Sequence, residues 1–142
     1  MVYLDTSVVG AAMLKEATSA AVLRWLAELE QPAISPWTGV EFESIIARRI
    51  RMRDIDERVA STARGNWLHF AAHACHLLPV DGRCFDIAAT LVRNAASGLR
   101  AADSLHLGIA TVNGLSLATL DRRLATIAEG VGIEVLNPAR AY

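Results

Sequence analysis

Short apolar runs alternate with longer segments of helical periodicity along this chain. The first run is Val2-Tyr3-Leu4, and it is followed by four further candidate strands at 33–35, 77–80, 115–119 and 133–136. A strand that is apolar on both faces is typical of the centre of a parallel sheet covered by helices on both sides. Strands separated by helices require crossover connections, which also favours a parallel sheet. We therefore expect one α/β domain over residues 1–142, with three α/β/α layers and about five parallel strands.

Helices are predicted between these strands wherever apolar residues recur at helical spacing. In the second helix, Val22, Leu23, Leu26 and Leu29 share one face, and Ser19 can cap the start. The predicted helices cover residues 8–14, 19–30, 36 to about 53, 54 or 56 to about 76, 82 to about 96, 100–113 and 121 to about 128. A break is expected at Ser97-Gly98, and Asn113-Gly114 is a good C-terminal signal for the sixth helix.

The composition is that of a folded domain, since 53% of the residues are hydrophobic. No apolar stretch reaches the ~18 residues that would span a membrane, and the N-terminus lacks the pattern of a secretory signal. The two cysteines, Cys75 and Cys84, lack the partners of a zinc site and are expected to be reduced thiols. These features together favour a cytoplasmic protein.

The net charge of −1 excludes a general positive field as the basis of polyanion binding. The basic residues are unusual in kind, because Lys15 is the only lysine among the 14 basic residues. Arginine makes planar, bidentate contacts with phosphate. Codon usage that favours arginine explains the bias equally well, so the composition leaves both explanations open.

Three aspartates occupy equivalent places in the predicted fold. Asp5 follows the first strand, Asp121 follows the fourth strand, and Asp103 lies in the first turn of the intervening helix. Each alone is explained as a residue that caps a helix or faces the positive end of its dipole. The carboxyl ends of parallel strands, however, form the edge at which open α/β folds bind ligands. The three carboxylates are therefore candidates for one common site.

A fourth candidate, Glu41, lies inside the otherwise apolar stretch from Trp37 to Ile46. Glu43 competes with it, and because about 200° of helix rotation separates the two, only one can face a common site. Converging carboxylates repel one another unless they hold a hard divalent cation, and Mg²⁺ and Mn²⁺ prefer oxygen ligands. Such an ion can activate water and stabilise charge on a phosphoryl oxygen.

Four segments of the chain carry a family resemblance. They are Tyr3-Leu4-Asp5-Thr6-Ser7, Val40-Glu41-Phe42, Leu99 to Leu107 (LRAADSLHL) and Thr119 to Leu124 (TLDRRL). Together and in this order they closely resemble the PIN-domain ribonucleases, in particular the virulence-associated protein C toxins of bacterial toxin–antitoxin pairs. The resemblance covers essentially the whole chain.

The resemblance implies a parallel five-stranded PIN-like sheet and cleavage of structured or transfer RNA that depends on Mg²⁺ or Mn²⁺. It implies catalytic roles for Asp5, Glu41, Asp103 and Asp121, with Asp5, Asp103 and Asp121 as the metal ligands. The choice of Glu41 over Glu43 follows the family pattern. The expected partners are an RNA substrate, a cognate antitoxin protein and a second copy of the chain in a homodimer. The expected substrate-binding residues are Thr6, Ser7, Arg100, Thr119, Arg122 and Arg123, which neighbour the acids in the sequence.

Other functions remain open at this point. A housekeeping RNA-processing nuclease of the same fold would have the same acids, and a catalytically silent RNA- or protein-binding module would not need all four. Phosphoryl transfer through Asp5 as a nucleophile is less well supported, because Ser7 stands where a second aspartate is expected.

Several further residues have both a structural and a functional interpretation. His69, His73 and His76 share one predicted helical face, although Phe70 stands where a zinc-protease motif has glutamate. His106 is expected to pack behind the site. The arginine-rich segment 48–53 is either a solvated helix end or a contact for phosphate or an acidic partner. The three tryptophans, Trp25, Trp37 and Trp67, are expected in the core or an interface.

Overall fold

The fold is described from a computed structural model that covers residues 1–94 and 98–140. In these ranges the strands are β1 (Val2–Leu4), β2 (Pro32–Ile34), β3 (His76–Leu77), β4 (Ser116–Ala118) and β5 (Val135–Leu136). The helices are α1 (Thr6–Met13), α2 (Ser19–Glu28), α3 (Pro36–Arg51), α4 (Glu57–His73), α5 (Gly82–Asn94), α6 (Ala101–Asn113) and α7 (Arg122–Gly130). The predicted helix end at Ala96 and the break at Ser97 lie outside the described residues.

The five strands form one parallel sheet in the order β3-β2-β1-β4-β5, as predicted. The central strand β1 pairs with β2 and β4, so that Tyr3 is in register with Ala33 and Leu117. Successive side chains of a strand point to opposite faces. Tyr3 therefore packs with α5, α6 and α7, whereas Leu4 packs with α1 to α4 on the other face. The two separate cores confirm the predicted α/β/α layers.

Several predicted boundaries are wrong. The third strand covers His76–Leu77 rather than 77–80, and it ends before Pro79, which has no N–H for the sheet. Helix α4 ends at His73, so His76 belongs to β3. Asp56, rather than Asp54, caps this helix by accepting a hydrogen bond from the Val59 N–H.

The predicted cap of α2 is also wrong. Thr18 occupies the N-cap position, and Ser19 is the first helical residue. The Ser19 hydroxyl donates to the carbonyls of Ala11 and Leu14 and accepts from the Glu16 N–H. This side chain therefore joins α2 to the end of α1 instead of capping its own helix.

The sixth helix ends as predicted at Gly114, which has the left-handed conformation (φ 61°). Its interior packs very closely on α5, because a Cβ atom at Gly108 would lie 2.3 Å from the Cys84 carbonyl oxygen. Trp25 and Trp67 are buried in the core, and Trp37 donates from Nε1 to the Ala102 carbonyl. Within the described residues, no helix combines the length and the apolar character that crossing a membrane requires.

Candidate active site

Neighbouring parallel strands bring Asp5 and Thr119 together at the carboxyl edge of the sheet. Leu4 of β1 is in register with Ala118 of β4, and the Asp5 N–H donates to the Ala118 carbonyl at 3.0 Å. Asp5 occupies the N-cap position of α1, but its side chain makes no capping hydrogen bond. Its Oδ2 atom instead accepts from the hydroxyls of Thr119 (2.8 Å) and Ser7 (2.5 Å). The helix-cap interpretation of this side chain is therefore wrong.

All four predicted acids line one cavity of about 440 Å³ at this edge. The cavity, called the acid cavity below, is lined by Asp5, Thr6, Ser7, Glu41, Ser44, Ile45, Arg48, Arg100, Asp103 and Asp121. Asp5 lies between β1 and α1, Glu41 lies in α3, Asp103 lies in the first turn of α6, and Asp121 is the N-cap residue of α7. Their convergence follows from the parallel topology, since the loops after parallel strands open on the same edge.

Glu41 is held in the acid cavity by two polar neighbours. Its Oε2 atom accepts a hydrogen bond from the Thr6 hydroxyl at 2.8 Å and contacts Nε2 of His106. Burial opposes ionisation of this carboxyl, but the hydrogen bond and charge of His106, with help from Thr6 and Arg100, outweigh it. The pKa of Glu41 is therefore lowered below its ordinary value. The carboxylate is ionised at neutral pH.

Glu43 lies outside the acid cavity. Its carboxylate pairs with Arg64 of α4 at 2.9 Å, and both side chains are exposed. The helix rotation between Glu41 and Glu43 thus directs one carboxylate to the cavity and the other to the surface. The sequence spacing alone left this choice open.

His106 lies behind the acids, as the sequence analysis expected. The side chain is fully buried, and its Nδ1 atom is 2.8 Å from the Tyr3 hydroxyl. Its Nε2 atom is 3.4 Å from Oδ1 of Asp5. One donor atom each from Asp5, Glu41 and His106 therefore lie within 4.8 Å of one another, and no other group of three such residues occurs in the described part of the chain.

The histidines of α4 do not form such a group. His69 and His73 stack with ring centroids 4.4 Å apart, but His76 lies in β3 beyond the end of the helix. The expectation that the three share a helical face is therefore wrong.

Arg100 bridges the other two acids. Its Nε atom donates to Oδ2 of Asp103 at 2.8 Å, and its Nη2 atom lies 3.6 Å from Oδ2 of Asp121. The Oδ1 atom of Asp121 accepts from the N–H groups of Arg123 and Leu124, so this aspartate also caps α7. Because Arg100 is largely exposed, its ion pairs contribute at most about 1 kcal/mol to stability. A cation or a phosphate group can therefore compete for these charges.

The donor set of the acid cavity fits a hard divalent cation. Four carboxylates and the hydroxyls of Thr6 and Ser7 line it, and only Arg48 and Arg100 supply positive charge. Carboxylate oxygens are the preferred ligands of Mg²⁺ and Mn²⁺, and no thiolate lines the cavity. The excess of negative charge is costly without a cation to balance it.

The remaining predicted substrate residues are distributed differently. The Thr119 hydroxyl is fully buried, donates to Asp5 and accepts from the Asp121 N–H, so it connects two acids. Arg123 donates from Nη2 to the Gly98 carbonyl at 2.7 Å. Arg122 lines a separate cavity of about 380 Å³ together with Glu129 and Arg140. Of the three predicted arginines, only Arg100 lines the acid cavity.

Sequence analysis did not identify Ser44 as part of the cavity wall, and it named Arg48 only as one member of the arginine-rich segment 48–53. They follow Glu41 by three and seven positions, which places all three on one face of α3. This spacing was the available signal, but it identifies a site residue only once Glu41 is known to face the cavity. The contact between His106 and Glu41 depends on how α6 packs against α3, for which the sequence contains no local signal.

Comparison with known proteins identifies the family and the fold of the chain. A family model described as "PIN domain" matches residues 2–130. No curated protein sequence matches the chain.

Solved structures from three bacteria share the fold, at identities below 25%. FitAcB from Neisseria gonorrhoeae has a TM-score of 0.70 and 22% identity, with 99% of each chain covered. VapC20 from Mycobacterium tuberculosis, described as a sarcin-ricin loop cleaving toxin, has a TM-score of 0.72 and 18% identity, with 94% of this chain and 96% of that chain covered. VapBC2 from Rickettsia felis, bound to a DNA fragment from its promoter, has a TM-score of 0.68 and 15% identity, with 96% and 98% covered.

Proposed function

The chain belongs to the PIN-domain family, and on that premise we propose that it is a divalent-metal-dependent endoribonuclease that acts as the toxin of a bacterial toxin–antitoxin pair. The observation that carries this proposal is the convergence of four carboxylates in one cavity at the carboxyl edge of the sheet. A toxin role is supported by the similarity to VapC20, whose description names it as a sarcin-ricin loop cleaving toxin. Structured or transfer RNA is the proposed substrate.

We propose that Asp5, Asp103 and Asp121 hold the metal, as the family resemblance implies. In the described part of the chain only Asp5, Glu41 and His106 form a group of three with donor atoms within 4.8 Å of one another, so this ligand set would require Arg100 to move away from Asp103 and Asp121. When bound, Mg²⁺ or Mn²⁺ supplies an activated water and stabilises negative charge on a phosphoryl oxygen. Ser7 and Thr119 orient Asp5 by donating to its Oδ2 atom. Thr119 also accepts a hydrogen bond from the Asp121 N–H, so this one hydroxyl fixes the position of Asp5 relative to Asp121.

Glu41 is proposed as the group that accepts a proton from the attacking water. It is ionised, and Thr6 and His106 hold its Oε2 atom. Attack on phosphorus in line with the leaving oxygen breaks the bond to the 3′ oxygen, which takes up a proton. The products then have 5′-phosphate and 3′-hydroxyl ends.

Phosphate is proposed to be held at the cavity by Arg100, whose guanidinium is exposed and adjoins two acids. Roles for Arg122 and Arg123 require the RNA to extend past the acid cavity and over the start of α7. Thr6 and Ser7 line the cavity and can donate to substrate oxygens.

The direct test is incubation of the purified chain with transfer RNA in Mg²⁺ or Mn²⁺, followed by analysis of the cleaved ends. We expect 5′-phosphate products that EDTA abolishes. Asp103→Asn and Asp121→Asn should each reduce the rate by roughly 10²-fold or more, the loss typical of removing one electrostatic contact to a transition state. Asn can still cap α7, so Asp121→Asn should stay folded. Wild-type rates in either variant would remove that residue from the site.

The proposed protein partners are a cognate antitoxin and a second copy of the chain. A neighbouring open reading frame that encodes a small DNA-binding protein would support the antitoxin, and its co-expression should suppress cleavage. For the homodimer, we expect light scattering at micromolar concentration to give twice the 15.3 kDa mass of the chain. A monomer under these conditions would contradict the dimer while leaving the nuclease proposal intact.

A further inference from the structure

Helix α3 contributes more than a carboxylate to the acid cavity. Glu41, Ser44, Ile45 and Arg48 follow one another at the i, i+3, i+4 and i+7 spacing that places residues on one helical face. All four line the cavity. At 1.5 Å of rise per residue, the backbone of Arg48 lies about 10 Å along the helix from that of Glu41. Arg48 is therefore at the wall of the cavity, two helical turns from the proposed reacting centre.

Arg48 differs from the other arginines at the end of α3. Arg49 is directed to Glu16, with which it forms an ion pair. Arg51 and Arg53 are exposed and do not line the acid cavity. Among the described residues, no carboxylate lies within ion-pair distance of Arg48. Its guanidinium therefore adjoins the cavity without a fixed anionic partner.

The second arginine of the cavity, Arg100, is in a different situation, because its Nε atom donates to Asp103 at 2.8 Å and its Nη2 atom forms a longer ion pair with Asp121 at 3.6 Å. A ligand that enters the cavity therefore finds one guanidinium already paired and one available. Guanidinium binds phosphate oxygens through two parallel N–H groups, which gives both energy and orientation. Ser44 adds an exposed hydroxyl between Arg48 and Glu41.

We propose that Arg48, with Ser44, forms a subsite for an RNA phosphate next to the one that is cleaved. The subsite rests on the proposed nuclease function. It predicts in addition that the RNA strand extends from the four acids along α3. In this position Arg48 contributes to binding of the RNA rather than to the chemical step.

The test measures binding without cleavage. A fluorescein-labelled single-stranded RNA of about 20 nucleotides is titrated with the Asp121→Asn protein in Mg²⁺ at several KCl concentrations, and anisotropy is recorded. Arg48→Ala in this background should flatten the plot of log affinity against log salt by about 0.7, the value for one phosphate contact. If the two proteins bind RNA equally at 1 M salt, this difference in slope makes the binding of the Arg48→Ala protein roughly four-fold weaker at 0.15 M salt.

Two matched variants complete the experiment. Arg51→Ala removes the same charge from the same helix outside the cavity and should leave both slope and affinity unchanged. Arg48→Lys keeps the charge, so it should restore the slope while losing part of the affinity that the planar guanidinium provides. Alanine is a strong helix former, so circular dichroism should show α3 intact.

The outcomes separate the two proposals. If neither the Asp121→Asn protein nor the wild-type chain in Ca²⁺ binds RNA, the proposed nuclease function fails and the subsite fails with it. If either protein binds RNA and Arg48→Ala in that same background keeps the same slope and affinity, only the subsite is overturned. Equal losses in Arg48→Ala and Arg51→Ala would also overturn it, because the effect would then belong to the general charge of the helix.

Discussion

At the scale of single residues, a chain of buried hydrogen bonds fixes the orientation of Glu41. The Tyr3 hydroxyl lies 2.8 Å from both Nδ1 of His106 and the Ser35 hydroxyl, and His106 in turn contacts Glu41. Ser35 caps α3, the helix that carries Glu41. No buried side-chain nitrogen or oxygen in the described ranges lacks a partner. A fully satisfied network of this kind restricts the rotamers of its members.

The two glutamates of α3 give the first prediction. Glu41→Gln should reduce RNA cleavage by roughly 10²- to 10⁴-fold, because the amide cannot accept the proton of the attacking water. Glu43→Gln should retain near wild-type rates, since its exposed pair with Arg64 is worth at most about 1 kcal/mol. Initial rates on one RNA, with urea denaturation as a check of folding, compare the two. The reverse order of activities would assign the site to Glu43.

The thiol of Cys75 gives a prediction about pH. The side chain is partly buried, and burial raises its pKa from 9.0 to about 12. The folded state therefore keeps its proton in a range where the unfolded state loses it. The resulting contribution to the free energy of unfolding is fully present below pH 9 and is lost as the pH rises towards 12.

Denaturation in urea between pH 8 and pH 11 measures this effect. The free energy of unfolding of the wild-type chain should fall more steeply above pH 9 than that of Cys75→Ala. The comparison matters because burial also raises the pKa of the Tyr3 hydroxyl, and this second contribution is common to both proteins. Parallel curves for the two proteins would contradict the raised pKa of the thiol.

At the scale of elements, the sequence predicted which strands and helices exist better than where they end. The apolar runs identified β1, β2 and β4 because burial between two helical layers demands apolar residues on both faces. The edge strands were also found from apolar runs, although β3 is exposed and β5 is only partly buried. The end of α4 was predicted too late, because helical periodicity continues through His76 with no glycine or proline to mark the stop. Only pairing of β3 with β2 removes His76 from the helix, and this contact is not local.

The candidate site was likewise predicted from local sequence patterns only in part. The acids could be selected from the sequence because each lies at a strand end, at a helix start or inside an apolar stretch. Asp5 and Asp121 could each be interpreted from the sequence as a helix cap. In the structure the Asp121 side chain caps α7, whereas the Asp5 side chain is held by Thr119 and Ser7 and makes no capping hydrogen bond. The distinction depends on the Thr119 hydroxyl, which follows the neighbouring strand β4 and is 114 positions from Asp5, so no local pattern contains it.

The contact between α5 and α6 gives a prediction at this scale. Gly108→Ala should destabilise the fold by about 1–3 kcal/mol or more, because its Cβ atom would meet the Cys84 carbonyl oxygen and the two helices would have to separate. Gly65→Ala in α4 is the matched control, since open space surrounds that position. It should stabilise the protein by about 0.5–1 kcal/mol. The midpoints of urea denaturation measure the stability of both variants, provided that the m-values are unchanged. Similar stability of the two variants would contradict the close packing of α5 on α6.

At the scale of the whole molecule, the topology of the sheet concentrates negative charge in the acid cavity, although the overall composition is nearly neutral. The chain has a net charge of only −1. The parallel sheet nevertheless brings four carboxylates into one cavity with two guanidinium groups. An RNA phosphate approaching this cavity is repelled until a cation offsets the acids. Binding of RNA, and not only its cleavage, should therefore depend on divalent ions.

This dependence gives the last prediction. In EDTA, the Asp121→Asn protein should bind a labelled single-stranded RNA more tightly than the wild-type chain, because it lacks one of the carboxylates that repel phosphate. Glu43→Gln removes the same charge from the same molecule but outside the cavity. Glu43 is exposed to solvent and already paired with Arg64, and salt at about 0.15 M screens exposed charges, so this control should bind nearly as the wild type does. Anisotropy titrations at constant ionic strength make the comparison. Equal affinities of all three proteins in EDTA would mean that the RNA does not enter the acid cavity, whereas equal gains in the two variants would mean that only net charge matters.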